Sequence, residues 1–204
     1  MEFISNIDLK EFQEFVDNHP NGHFLQSIYW GDVNIARGYK IHHVGLKRDG
    51  KLVATALLSE KKLINKFCFF YAPRGFVCDY TDCEIVRTFT VCLENYCKKN
   101  NGVFYRIDPA IKLQNLNKRG EVIDDGIDNH PLVEYLVKLG YTHKGFNKFF
   151  ENSEPRFTSR LDTHLDLEEV KKNFHSTTRQ IINRGNLYNL KIYKGNEDNV
   201  KDFY

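Results

Sequence analysis

The chain has 204 residues, 41% of them hydrophobic and 14% aromatic, enough apolar surface to bury a core and to exclude wholesale disorder. No apolar run approaches the ~20 residues of a membrane-spanning helix, and Met1-Glu2-Phe3-Ile4-Ser5-Asn6 has neither the basic nor the apolar region of a secretion signal. A net charge of +2 names no partner by itself, and the expectation is a soluble, cytoplasmic protein.

Asp8-x-x-Glu11 reads as an N-cap with its reciprocal acid, opening a helix that buries Leu9, Phe12, Phe15 and Val16. Pro20-Asn21-Gly22 stops it. A second helix is predicted over Ile28–Ala36, ending at Gly38. Strands over Ile41–Lys47 and Lys51–Leu58 are joined by Asp49-Gly50, a strong hairpin signal. The aromatic run Phe67–Ala72 predicts a central strand, broken by Pro73-Arg74-Gly75. Thr81 or Asp82 caps a helix to about Asn100, with Ile85, Phe89, Cys92, Leu93 and Tyr96 on one face. Val103–Ile107 is the next strand, ended by Asp108-Pro109, and a polar loop follows to Asn129.

Pro131 starts a helix that packs Leu132, Tyr135, Leu136 and Leu139 and ends at Gly140. Tyr141–Phe150 and Ser159–Leu165 read as strands. Asp166-x-x-Glu169 caps a helix over Leu167–Arg184, ended by Gly185. On a helical wheel its Val170, Phe174 and Ile181 fall together, opposite Lys172, His175, Arg179 and Asn183. Leu190–Tyr193 is a predicted strand, and Glu197–Tyr204 begins a helix with Val200 and Phe203 inward. The order of elements predicts an α+β, or mixed α/β, domain with an antiparallel-biased sheet.

Five cysteines (Cys68, Cys78, Cys83, Cys92 and Cys97) contain no C-x-x-C pair and read as small hydrophobes in a reducing compartment. His42 and His43 are adjacent on a strand and point to opposite faces, so no metal site is expected. Charge is unevenly placed. Residues 156–204 hold nine Lys/Arg and seven Asp/Glu, while the remainder carries 20 of each sign. Lys171–Lys194 has six Lys/Arg and no carboxylate, a pattern that suits phosphate-bearing partners or a solvated helix face.

Several segments in order carry a family resemblance. They are Phe24-Leu25-Gln26-Ser27-x-x-Trp30, the Asp49-Gly50 hairpin with Val53–Leu58, and Tyr71-Ala72-Pro73-Arg74-Gly75-Phe76-Val77-x-Asp79-Tyr80. They continue with Arg106-Ile107-Asp108-Pro109, Leu139-Gly140-Tyr141-x-His143-Lys144-Gly145-Phe146 and Arg179-x-x-Ile182-x-Arg184. Together they resemble the Fem family of aminoacyltransferases (FemA, FemB, FemX and the MurM and MurN proteins), over essentially the whole chain. The resemblance implies two tandem acetyltransferase-like (GNAT) domains, here the first over 1–154 and the start of a second over 155–204.

It further implies transfer of amino acids from aminoacyl-tRNA to the stem peptide of a peptidoglycan precursor, lipid II or its UDP-linked form, with no cofactor. Contact with a membrane would come through lipid II. Asp108 is the catalytic carboxylate the resemblance selects; Asp-Pro is also a common turn former. A diphosphate-contacting lysine of the family falls on Asn34, with Arg37 one helical turn on as its replacement. Arg74 and Gly75 supply a cation beside a residue that lets a ligand approach the backbone, or an ordinary turn. Lys172, Arg179 and Arg184 face tRNA phosphates or solvent, and Trp30 is core or a ligand platform. Family members are longer, so self-association through an uncovered Val200 and Phe203 is expected. Two other readings stand beside this one. One is an acyl-CoA-dependent N-acetyltransferase, for which no Gly-rich pyrophosphate loop is present; the other is a catalytically inactive, truncated Fem-like binding module.

Overall fold

The computed structural model describes residues 1–117, 119–145, 161–188, 190 and 192–202. They belong to two compact units, Met1–Lys144 and Gly145–Tyr204. The expected boundary at Glu154 lies outside the described residues.

In the first unit α1 (Leu9–Asn18) begins where predicted, with the Asp8 carboxylate accepting from Glu11 N–H at 2.9 Å. Phe12 and Val16 are buried while Leu9 is exposed, a correction to the predicted face. Helix α2 (Ile28–Ala36) is capped by the Ser27 hydroxyl and ends at Arg37. Strands β2 (Lys40–Arg48) and β3 (Lys51–Lys62) meet in the expected hairpin, with Asp49 and Gly50 both at positive φ, 51° and 75°. Strand β4 (Cys68–Ala72) follows, then α3 (Cys83–Lys99) capped by Asp82, β6 (Gly102–Ile107) and α4 (His130–Lys138). Two short strands carry no sequence signal: β1 (Glu2–Ile4) and β5 (Val77–Cys78). Both are too short for an alternating pattern to show.

The sheet runs β1-β2-β3-β4-β6, with β5 also on β3. Every pairing is antiparallel except β4 with β6, which is parallel. This is the mixed, antiparallel-biased sheet that the order of elements implied. Alternation along β2 and β3 sends Val44, Leu46, Ala54, Ala56 and Leu58 to one face, where Phe70, Val86, Phe89 and Leu93 complete the core. Phe12, Val16, Leu57 and Val77 pack on the other face. His42 and His43 follow the same alternation. The His42 ring bonds the Tyr96 hydroxyl at 2.7 Å and Glu60 at 2.8 Å, whereas His43 stands edge-on to Phe12. The five cysteines are free, with Cys68, Cys78 and Cys97 buried and Cys83 exposed.

One edge of β3 is split between two partners. It pairs with β5 at Ala54–Thr55 and with β4 at Ser59–Lys62, leaving Leu57 between them without a strand neighbour. The Gln26 side chain, 0% exposed, takes that place. Its carbonyl accepts from Leu57 N–H at 2.9 Å, and its amide donates to Leu57 C=O at 3.3 Å and to Pro73 C=O at 2.8 Å. All three backbone groups are thereby satisfied in a site closed to water.

The second unit departs from expectation. The predicted helix over Leu167–Arg184 is two helices, α5 (Leu167–Asn173) and α6 (Ser176–Leu187), with the His175 ring capping the second. The Arg179 guanidinium donates to Lys172 C=O at 2.9 Å and Phe174 C=O at 2.6 Å, satisfying carbonyls at the end of α5. A break of this kind destroys a continuous wheel, and Ile181, expected inward, is 63% exposed. Gly185 lies inside α6 rather than ending it. Residues 141–145, 161–165, 190 and 192–196 carry no strand, and 146–160, 189 and 191 lie outside the described residues. Glu197–Asp202 is 3-10 helix with Val200 exposed, while Phe203 falls outside the described residues.

Gln26→Ala leaves three buried backbone groups unpaired and a void behind them. The variant should lose about 3–5 kcal/mol of unfolding free energy, read from urea denaturation midpoints. An unchanged midpoint would show that water replaces the amide without cost.

Candidate functional site

Parallel pairing of β4 with β6 brings the carboxyl ends of two neighbouring strands to the same edge of the sheet. Ala72 lies opposite Ile107, so Pro73-Arg74-Gly75 and Asp108-Pro109 leave side by side. Ends of adjacent parallel strands are common places for binding sites in open sheets. Here they assemble a small polar cluster.

Asp108 sits at its centre. Its Oδ1 accepts from Arg74 N–H at 2.7 Å and its Oδ2 accepts from the Tyr71 hydroxyl at 2.9 Å. Burial raises the Asp108 carboxyl above the ordinary value, while those two bonds and the charges of Arg74 and Arg106 pull it back. Tyr71 lies opposite Arg106 in the strand register, and the Arg106 guanidinium stands 5.3 Å from the Tyr71 ring centroid. A half-buried carboxylate flanked by a phenol and two guanidinium groups can orient an ammonium and hold anionic groups around it.

Gly75 has a different role from the one its neighbourhood suggested. A Cβ there would stand 2.6 Å from Gln26 Cδ, so the group that approaches the backbone is the Gln26 amide, not a ligand. Arg74 adopts a left-handed backbone, φ 54°, turning its N–H toward Asp108. The turn, the glutamine and the carboxylate therefore form one hydrogen-bonded unit, from Leu57 through Gln26, Pro73 and Arg74 to Asp108.

The other sequence candidates are placed elsewhere. Asn34 is buried on α2, and Arg37 is the exposed C-cap of that helix. Trp30 is half-buried, edge-on to the exposed Phe24 at 5.9 Å. Lys172 and Arg184 are exposed on α5 and α6, whereas Arg179 is half-buried with its guanidinium engaged by backbone carbonyls. Sequence reasoning missed Gln26, Tyr71 and Arg106 as members of the cluster. Tyr71 and Arg106 each lie within three residues of a chosen candidate, and only the parallel register shows that they face one another. A separate cleft of about 470 Å³ opens where β1 leaves the edge of β2, lined in part by Ile28, Asp32, His43 and Tyr96. No group of three or more potential metal ligands occurs among the described residues.

A sequence model of the FemAB family matches residues 7–204. Aminoacyltransferase FemA of Staphylococcus aureus (strain NCTC 8325 / PS 47) is 34% identical over 167 residues, covering 81% of this chain and 39% of its own length. FemA from the bovine strain RF122 / ET3-1 matches to the same extent. The crystal structure of FemX aligns with a TM-score of 0.82 at 25% identity, covering 100% of this chain and 48% of that one. The chain thus spans less than half of each of these relatives.

Asp108 supplies a pH test. Its raised folded value lies above the roughly 3.9 of an unfolded aspartate, so the native state holds the proton more tightly than the unfolded chain. Its contribution to stability is greatest below both values and falls as pH rises through the window between them. Asp108→Asn has no such titration. Relative to wild type, the variant should therefore gain stability from about pH 4 upward and level off above the folded value. Thermal melts across a buffer series check this; a difference flat with pH would show an unperturbed carboxyl.

Proposed function

Because the chain belongs to the FemAB family, we propose that it forms part of a tRNA-dependent aminoacyltransferase acting on the stem peptide of a peptidoglycan precursor. The observation that carries this reading is the Asp108 carboxylate, fixed by Arg74 N–H and the Tyr71 hydroxyl at the ends of two parallel strands. Its relatives named as aminoacyltransferases support the chemistry.

The acceptor amine of the stem peptide is protonated in water and must lose a proton to attack. In the proposed step Asp108 accepts a hydrogen bond from that ammonium and holds its nitrogen toward the ester carbonyl of aminoacyl-tRNA. Loss of a proton to solvent frees the nitrogen lone pair. The new bond forms between nitrogen and carbonyl carbon, the ester C–O bond breaks, and the departing ribose oxygen takes the second proton that the nitrogen gives up. The ester is already activated, so positioning contributes more than strong base catalysis. Arg74 and Arg106 would meet the phosphates of lipid II or of its UDP-linked form. Arg37, exposed at the end of α2, would lie along the same acceptor, whereas the burial of Asn34 keeps it from that contact, and Lys172 and Arg184 would meet tRNA phosphates.

Incubation with charged tRNA and lipid II, read by mass spectrometry of the precursor, tests the reading. Addition should occur and should drop by about a hundredfold in Asp108→Asn. Undiminished addition by that variant would remove Asp108 from the site. Precursor binding without any addition would instead favour the inactive binding module.

Charge neutralisation at Lys172 and Arg184 tests the tRNA contact apart from the chemistry. The double variant should bind charged tRNA more weakly, its salt slope falling by roughly one unit per lost phosphate contact. Arg179 is left intact because its guanidinium ties α5 to α6. Unchanged affinity and slope would make the basic segment a solvated face.

A further inference from the structure

The turn between β3 and β4 extends beyond every neighbouring strand. Strand β2 starts opposite Glu60, and β6 starts opposite Cys68. Lys61–Phe67 therefore projects past the end of the sheet as a lone hairpin tip. It is a closed turn: Leu63 N–H donates to Phe67 C=O at 2.9 Å, Phe67 N–H donates to Ile64 C=O at 3.1 Å, and Asn65 has φ 57°. This geometry puts apolar side chains at the apex. Ile64 is 76% exposed, Leu63 48% and Phe67 46%. Exposed apolar groups on a protruding, convex tip have no covering partner among the described residues.

Cations surround them. Lys61, Lys62 and Lys66 are exposed on the hairpin, and Lys98 and Lys99 are exposed at the end of α3. The base of the hairpin is joined to that helix end, since Cys68 N–H donates to Asn101 C=O at 3.1 Å. Neither 61–68 nor 95–102 contains an acidic residue. The flanking acids are already engaged: Glu94 by Lys98 at 2.6 Å, and Glu60 by Lys40 and His42. The uncovered charge is positive.

We propose that the Lys61–Phe67 hairpin tip docks on the surface of an anionic phospholipid bilayer, Ile64, Leu63 and Phe67 entering the headgroup boundary while the lysines meet lipid phosphates. A convex apolar apex fits a deformable interface, whereas a protein partner would need a matching pocket. Apolar side chains bordered by Lys are the composition that binds such interfaces, and each lysine near an anionic surface adds about fivefold to binding. Val103 and Phe104 are exposed at the adjoining start of β6, with Phe104 stacked on Phe69 of β4 at 5.1 Å between ring centroids. This attachment uses the protein's own residues and is independent of the proposed transfer reaction and of lipid II.

Co-sedimentation of the full chain with vesicles free of any peptidoglycan precursor tests it. The protein should pellet with phosphatidylglycerol-containing vesicles, much less with pure phosphatidylcholine, and less as salt rises. Ile64→Asp should weaken binding by about tenfold or more, and Lys61→Gln with Lys66→Gln by about twenty-fivefold, one fivefold factor per lysine. These side chains are exposed, so thermal melts should match wild type and exclude misfolding as the cause. Protein that stays in the supernatant, binds both vesicle types equally, or binds unchanged in either variant would overturn the proposal.

Discussion

A glutamine amide does the work of a missing strand in this fold. Between β5 and β4 the edge of β3 would present Leu57 N–H and C=O to a dry interior, and unpaired backbone groups there are costly. Gln26 satisfies both and reaches on to Pro73 C=O. Because its amide has one acceptor and two donor hydrogens in a fixed plane, it also sets the distance at which the β4 chain can leave the sheet. Gly75 is required by that approach, and the position of Arg74 N–H follows from it. The carboxylate of Asp108 is thus fixed from β3, through a side chain belonging to the segment before α2.

The one parallel pairing has a chemical consequence. Antiparallel neighbours would send the ends of β4 and β6 to opposite edges, and Asp108 could not accept bonds from Arg74 and Tyr71. Parallel neighbours put two turns and a cross-strand Tyr–Arg pair within a few ångströms of each other. The carboxylate is then caught between burial, which favours its neutral form, and donors and guanidinium groups that favour its charge. A group so balanced is suited to holding a cation that must itself shed a proton.

Much of the first unit was legible because its signals are local. A capping aspartate, an Asp-Gly hairpin and a Pro at a helix start each act within four residues, and α1, α3, α4 and the β2–β3 hairpin begin or turn where those residues stand. Gln26 was not legible as a structural keystone, since its partners lie 31 and 47 positions away. The short strands β1 and β5 exist only through their pairing with long ones. In the second unit the wheel over Leu167–Arg184 assumed an unbroken helix, and no breaker residue marks the step at Phe174–His175. The break is held by a tertiary device instead, the Arg179 guanidinium on carbonyls of the preceding helix.

The bridge made by His42 between sheet and helix fixes where its single ring proton resides. Burial works against ionising Glu60, but bonds from His42 and Lys40 outweigh it and hold that carboxyl below its ordinary value. A carboxylate only accepts, so Nε2 must carry the hydrogen and Nδ1 must accept from the Tyr96 hydroxyl. Burial lowers the imidazole's own proton affinity, which favours the neutral ring. Adding a proton to Nδ1 would reverse that bond, the Tyr96 hydroxyl turning to accept from the ring. With the ring neutral, the joint between α3 and β2 is an ordered row of donors running Tyr96 to His42 to Glu60, which gives the helix a direction-specific latch on the sheet.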